Sequence, residues 1–531
     1  MSTFNTTLPS PDTDNIYRFA DNTEYYYDLI LYNANEEFVR LKTQSVVELI
    51  INDNLLNAFH KGTLIFKNDL DAIEKITTET SDASQDYYLP KKEFNQNSSK
   101  NILPFSFRGD ARDYLIVDIC PKIDNELNYN YGEKINKIWR LKYVFAIYDI
   151  EDITGNTNDE KFKKLHFWDY SYQIMLEKNI DFTTSNYITK PDVINLDNSE
   201  RSIKTGTAIK NILLETFPSN EGFKLKFAEF DEGSTNIFYS SPVNSCAYDD
   251  YKYIDSVHVS SPSNNYDFCI LRKERYTNEF SYKSLKSYFE NAYTRQGNLR
   301  ADEGGPLHIE KFLVGSYSDS NVSNFNNITR TPISTKNSAF LPDYSQIQKY
   351  KFFPSAGFDV QHYITTKQVF SYDFYNKTFN IDVQENQFER ILDVFYQNYV
   401  KNFKGSSNAG FSTLTKNEYR INNRNYDCTF SVSNDRDQRL SSGRNEVMKK
   451  ALFLNNTINF IAPGLTVRQA GRFVSIDRDS SQPSNKFDDK FLGTYFLVEI
   501  NHIFRSGSYE NEITAIKTYS FSNPNNNEVV L

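Results

Sequence analysis

Between residues 25 and 69 the chain reads YYYDLILYNANEEFVRLKTQSVVELIINDNLLNAFHKGTLIFKND, short apolar runs parted by turn-forming residues with no room for a long helix. Leu29 and Leu31 fall two apart in a short apolar run, Phe38 to Leu41 and Val46 to Ile51 form two further clusters, and Gly62 precedes a Thr-Leu-Ile-Phe run. Period-two alternation broken by tight turns reads as short strands. Such strands cannot bury an apolar face alone. Without covering helices they must close on themselves or stack, so a small barrel or sandwich is expected. The pattern resumes at ILPFSFRGDARDYLIVDIC, residues 102 to 120, and at LKYVFAIYDIEDI, residues 141 to 153. Residues 70 to 100, rich in Thr, Ser, Asp, Lys and Asn, read as a long loop or insertion. An amino-terminal extension over 1–20 and a first antiparallel barrel with a loop insertion over 21–155 follow from this.

The periodicity then changes. KKLHFWDYSYQIMLEKNIDF at 163 to 182 places Phe167, Tyr170, Ile174 and Met175 close to helical spacing, and TGTAIKNILLETF at 205 to 217 puts Ile209, Ile212, Leu213 and Phe217 on one stripe. FSYKSLKSYFENAY at 280 to 293 reads as a third helix, with Leu285, Tyr288 and Phe289 packing against the domain that contains Val257, Val259 and the DFCIL run. Residues 156–304 are therefore expected to form an α/β domain. From 305 to 440 a mixed β/α region is expected. Its strands are HIEKFLVG, QKYKFF, HYITTKQVFSYDFY and TFNIDV, with a helix through Phe388, Ile391, Leu392, Phe395 and Tyr399 and a polar, flexible loop at 401–427. Residues 441–531 hold ALFLNNTINFIAPGLTVRQAGRFVSIDR, then FLGTYFLVEINHIFRSG and SYENEITAIKTYSF joined by a turn at Gly507. These strands would complete a second barrel. The fold class expected is mainly β with α/β insertions: two small antiparallel β-barrels plus smaller α+β domains.

A length of 531 residues suggests about three to five domains. The 37 Tyr and 42 Phe supply enough apolar surface to exclude a wholly disordered chain. A net charge of −10 argues against a general binder of phosphate backbones, and no sequence-specific nucleic acid is expected as a partner. No window approaches eighteen consecutive apolar residues and the first residues lack a basic-then-apolar pattern, so neither a membrane anchor nor a secretion signal is expected. Cys120, Cys246, Cys269 and Cys428 are scattered without zinc-ligand spacing. His60, His166, His258, His308, His362 and His502 form no HExxH, and no GxSxG is present. DEGGP at 302 to 306 lacks the Lys and hydroxyl of a phosphate loop. No catalytic residue, cofactor or metal is expected. Glu499 stands out as an acid in an apolar strand pattern and reads as a strand-edge or interface charge. Arg468 and Arg472 flank a Gln-Ala-Gly turn and Arg478 ends the next strand. That group reads either as a solvated barrel end or as an intersubunit contact, since Arg pairs directionally with a neighbour's carboxylates.

LNNTINFIAPGLTVRQAGRFVSIDR followed by FLGTYFLVEINHIFRSGSYENEITAIKTY resembles the baseplate hub family of contractile-tailed phages, which is related to the hub part of type VI secretion spike proteins. Pro463, Gly464, Arg468, Gly471, Leu492, Gly493, Tyr495, Val498, His502 and Tyr509 carry the likeness. ELIINDNLLNAFHKGTLIFKND resembles the opening of the first hub barrel, and SYKSLKSYFENAY the helical part of the domain between barrel segments. The resemblance implies a structural protein of the virion tail baseplate, assembled in the host cytoplasm. It implies a homotrimer whose two barrels per subunit form a pseudo-sixfold ring, matching a hexameric tail tube on one face and a trimeric central spike on the other. Baseplate wedge proteins would be neighbours, and a central passage would serve genome delivery. Gly464, Arg468, Gly471, Arg472, Gly493, Tyr495, Glu499, His502 and Tyr509 become interface or barrel-turn positions, with Arg468 and Arg472 orienting a barrel-end contact. Aromatic-rich β-domains also present sugar platforms, so the alternatives are a glycan-binding or glycan-degrading tail component and a peripheral baseplate protein.

Overall fold

The computed structural model of the chain describes residues 16–19, 23–32, 37–41, 43–67, 92–93, 113–121, 141–154, 161–187, 202–221, 225–234, 236–258, 260, 269–273, 279–284, 287–288, 310–314, 347, 349–353, 368–373, 378–383, 429–431, 457–466, 468–478, 493–505 and 508–517. The first strands are β1 Ile16–Phe19, β2 Thr23–Tyr32, β3 Glu37–Arg40, β4 Val46–Asn54, β5 Lys61–Lys67, β6 Lys92–Glu93, β7 Asp113–Pro121, β8 Leu141–Thr154 and β9 Lys161–Asp169. A helical part follows, with α1 Tyr170–Glu177, β10 Ile203–Lys204, α2 Thr205–Thr216, β11 Lys226–Phe230, β12 Asn236–Ile237, α3 Ala247–Val257, β13 Cys269–Lys273 and β14 Glu279–Ser284. The remainder comprises β15 Glu310–Val314, β16 Lys349–Phe353, β17 Gln368–Asp373, β18 Thr378–Val383, β19 Thr429–Ser431, β20 Thr457–Pro463, β21 Phe473–Arg478, β22 Gly493–Arg505 and β23 Ser508–Lys517.

The alternation read from the sequence sets the first core. Leu29 and Leu31 of β2, Leu49 and Ile51 of β4, Leu64 and Phe66 of β5, Leu115 and Val117 of β7, Phe145 and Ile147 of β8, and Leu165 and Phe167 of β9 point one way and pack together. β9 pairs with β5 and β8, so this sheet continues to Asp169, beyond the expected boundary at 155. A second core gathers Phe312, Phe460, Val474, Ile476, Tyr495, Leu497, Ile513 and Ala515 from the carboxy-terminal strands.

One continuous ladder links the two cores, in the order β16-β20-β23-β22-β4-β5-β9-β8-β7-β2-β3-β6. The joint is β22, which pairs with β23 in a hairpin and with β4 on its other side, from Glu499 opposite Asn54 to Arg505 opposite Glu48. At 13 residues it extends about 43 Å, enough to serve both cores. Its Tyr495 and Leu497 lie in the second core, its Phe504 in the first, and a bulge between Leu497 and Glu499 re-aims the strand between them. Among the described strands neither end of the ladder closes on the other. Where two barrels are expected, the described strands form two cores on one ladder.

A third core belongs to the helical part, where α2 buries Ile209, Ile212, Leu213 and Phe217 as its stripe predicts. The helix expected over 280–293 is corrected over 280–284, while Ser287 and Tyr288 are helical. Residues 280–284 belong to β14, hydrogen-bonded to β11 and β13 on its two sides, with Phe280 and Tyr282 both in the core. Pairing on both edges outweighs a helical spacing shared by few residues. Tyr288 is buried, while Leu285, Phe289 and Val259 lie outside the described residues. α3, which ends at Val257, buries Tyr251 and Ile254 and carries Asp249 and Asp250 in its first turn, where acids complement the helix dipole. The helical spacing at 163–182 divides at Asp169, which ends β9 and caps α1 by accepting from Ser171 N at 2.8 Å. The helix through Phe388 to Tyr399 and the loop at 401–427 lie outside the described residues, as does most of 70–100. No described helix is long and apolar enough to cross a membrane.

Candidate functional site

Five of the residues carrying the resemblance, Pro463, Gly464, Arg468, His502 and Tyr509, meet in one buried device, where the turn after β20 is clamped onto the final hairpin. Gly464 N donates to Tyr509 O at 2.7 Å, and its α-carbon lies so close to the Tyr509 ring that any Cβ would overlap it. Tyr509 stacks on Phe504 with centroids 4.1 Å apart and planes at 10°. Its hydroxyl lies 2.7 Å from His502 Nδ1, which also takes the Asn511 amide at 3.0 Å, an acceptor between two donors. Asn511 Oδ1 accepts from Leu465 N at 2.7 Å and from Arg468 Nη1 at 2.8 Å. Arg468 also donates to Pro463 O, and its guanidinium lies over the Phe312 ring at 4.9 Å.

Arg468 is 2% exposed, so it is not at a solvated barrel end, and it donates to Pro463 O and to Asn511 Oδ1 of its own chain. It is held there because a neutral carbonyl, an amide and an aromatic face satisfy the cation where water does not reach. Arg472 is half-buried beside it, and its carbonyl accepts from Leu497 N at 2.8 Å. Gly471 has φ +85°, a conformation L side chains rarely adopt, and its N–H reaches Leu497 O at 2.8 Å. A Cβ there would meet Tyr288 at 3.1 Å and Leu55 at 3.2 Å.

A second polar cluster, which the sequence reading missed, binds this segment to the rest of the molecule. Arg272 on β13 pairs with Asp53 of β4 at 2.6 Å and donates to Ala470 O at 2.7 Å, while Asp53 Oδ2 accepts from Ala470 N at 3.2 Å. One buried ion pair therefore ties the first sheet, the helical part and the 464–471 segment together. Beside it Lys273 pairs with Asp169 at 2.8 Å, and His60 lies 3.6 Å from Asp53. A signal existed in the period-two parity. Asp53 follows Leu49 and Ile51 on the inward side of β4, and Asn511 falls between Tyr509 and Ile513 on the inward side of β23.

The other residues singled out from the sequence are placed as follows. Glu499 is not at a strand edge: β22 is paired on both sides, and Glu499 accepts from Asn52 Nδ2 at 2.6 Å next to the bulge. Gly493 opens β22 opposite Ile476. Tyr495 is fully buried in the second core, where desolvation pushes its hydroxyl above the usual phenol range. Of the histidines, His166 faces Glu151 at 3.0 Å near the surface, and His258 is fully buried with its Nδ1 2.9 Å from Thr205 Oγ1. His308 and His362 lie outside the described residues. A row of partly exposed rings runs along β8, β9 and α1, with Tyr148 and Trp168 stacked at 4.0 Å and Tyr172 edge-on to Trp168.

No known family profile matches this chain, and no curated protein matches it in sequence. Among solved structures it is similar to the tail protein from Neisseria meningitidis MC58, with TM-score 0.41 and 8% identity over 93% of this chain and 99% of that one. It is also similar to the 43 kDa tail protein of prophage MuSo2 from Shewanella oneidensis, with TM-score 0.39 and 9% identity over 93% of this chain and 100% of that one. A chain of the Francisella PdpA-VgrG complex is similar at TM-score 0.40 and 10% identity, over 94% of this chain and 53% of that one.

Proposed function

We propose that the protein is a structural baseplate hub subunit that assembles as a homotrimer into a pseudo-sixfold ring. Six similar positions from three chains require two comparable bodies per chain. The observation that supports this most is the pair of separate β cores carried on one ladder and shared by β22. Rigid coupling of the two bodies suits a part that transmits geometry and force. The buried Asp53–Arg272–Ala470 cluster supports that coupling, and the task needs no catalytic residue. In this reading one face of the ring takes a hexameric tail tube and the other a trimeric central spike, with wedge proteins around it and a passage for genome delivery. Its place is the virion tail baseplate, after assembly in the host cytoplasm. With Arg468 and Tyr495 buried inside the subunit, the turn positions would act by holding the shape of the contact surface.

The test is the mass and rotational symmetry of the purified assembly, by light scattering and electron-microscope class averages. A ring of three times the 61.9 kDa chain mass with a central opening is expected. A persistent monomer in the presence of candidate tube and spike proteins would refute it. A second reading, a glycan-binding tail component, is favoured by the Tyr148–Trp168–Tyr172 row. Glycan-array binding lost in Trp168→Ala would support that one.

A further inference from the structure

Three potential metal ligands of different chemistry meet in the helical part, on three separate elements. Asp231 follows β11, His258 follows α3 and Cys269 opens β13, and one ligand atom from each lies within 4.8 Å of the others. His258 Nε2 is 3.7 Å from Asp231 Oδ1. Ligand atoms around a tetrahedral ion with bonds of about 2.0 to 2.3 Å are separated by roughly 3.3 to 3.7 Å, so small side-chain shifts would close the set. His258 is fully buried and Cys269 is 3% exposed, while the Asp231 side chain, 12% exposed, gives a path from solvent.

The surroundings hold the ligands in orientation. The far ring nitrogen of His258 lies 2.9 Å from Thr205 Oγ1 at the start of α2, the outer contact that fixes the tautomer of a ligating imidazole. Asp231 Oδ1 accepts from Gly233 N at 2.7 Å, which sets the plane of its carboxylate. Asp255, whose carboxylate takes the Tyr282 hydroxyl at 2.8 Å, adds negative charge close by. We propose that Asp231, His258 and Cys269 form a binding site for a divalent transition metal of the zinc type, with a fourth position open towards solvent. A thiolate with an imidazole selects a soft or borderline ion over magnesium or calcium. Binding releases the Cys269 thiol proton to solvent, leaving the thiolate as ligand. The other such grouping among the described residues, Asp149, Glu151 and His166, is exposed and has the Lys164 ammonium 3.2 Å from Glu151, which opposes a second cation.

The test is titration of the full, metal-stripped chain with cobalt(II), followed by zinc competition and metal analysis. The expected result is one ion per chain, a thiolate-to-cobalt charge-transfer band in the near ultraviolet, and visible bands of four-coordinate intensity. Cys269→Ser should abolish the charge-transfer band, Cys246→Ser should leave it intact, and Thr205→Val should weaken affinity about 10- to 100-fold. Failure of the native chain to bind cobalt or zinc stoichiometrically overturns the proposal, as does a band that survives Cys269→Ser. Should Cys269→Ser not fold, an unchanged affinity in Thr205→Val overturns it equally.

Discussion

Gly464 and Gly471 answer different demands, and their substitutions should behave differently. At Gly464 the demand is space. Gly464→Ala drives a methyl into the buried Tyr509 ring, an overpacking that costs about 1–3 kcal/mol. Denaturant unfolding should show that loss, and it should shrink in a Tyr509→Leu background. At Gly471 the demand is backbone conformation as well. A β-branched residue forced to φ +85° costs roughly 1–2 kcal/mol before any contact with Tyr288 or Leu55 is counted. Gly471→Val is expected to lower the unfolding midpoint and to weaken formation of the proposed trimer, with Gly471→Asn falling between it and the native chain. Normal trimerisation of the Val variant in sedimentation would remove the turn from the assembly argument.

At the scale of elements, the junction of β4, β13 and the 464–471 segment decides whether the parts move as one. Arg272→Met leaves the Asp53 carboxylate buried without its cation, a change that costs about 3–5 kcal/mol. The double variant Asp53→Asn, Arg272→Met should lose clearly less than the sum of the single losses, because the second change removes the stranded charge left by the first. Hydrogen exchange is the complementary reading: the amides of Ala470 and Gly471 should exchange faster in Arg272→Met, while those in the β8–β9 hairpin stay protected. Equal acceleration everywhere would mean that the cluster supports global stability and not the joint.

Across the whole molecule, β22 is the strand on which both cores depend. Asn52 and Glu499, bonded side chain to side chain, are 447 residues apart in the chain. A truncation ending before Gly493 removes Phe504 and Tyr509 from the first core, opens the β4 edge and takes two strands from the second core. An open, apolar strand edge invites association. The truncated chain should aggregate or lose exchange protection over Val46–Asn54, although that strand is left intact. A soluble fragment with β4 still protected would contradict the shared-strand account. This long-range pairing also gives the proposed ring its stiffness, since the amino-terminal and carboxy-terminal strands cannot separate without breaking a continuous ladder.

The amino-acid sequence by itself determined the local structure: the alternation that makes β2, β4, β5, β7 and β8, the apolar stripe of α2, and the tight hairpin of β22 and β23. Each of these is decided within a few residues, by side-chain period or by backbone sterics. The polar parts of the site were half legible. Asp53 and Asn511 occupy inward positions of their strands, but parity does not say which cation or amide waits on the other side. Only the tertiary structure decided that β22 lies against β4, that Arg468 is buried on Phe312 and Asn511, and that Phe280 and Tyr282 belong to a strand. The alternation of a strand states which face is apolar and leaves its neighbour open, and a charge in the sequence carries no mark of burial. Both are settled when distant segments meet and each buried polar group has to find a partner.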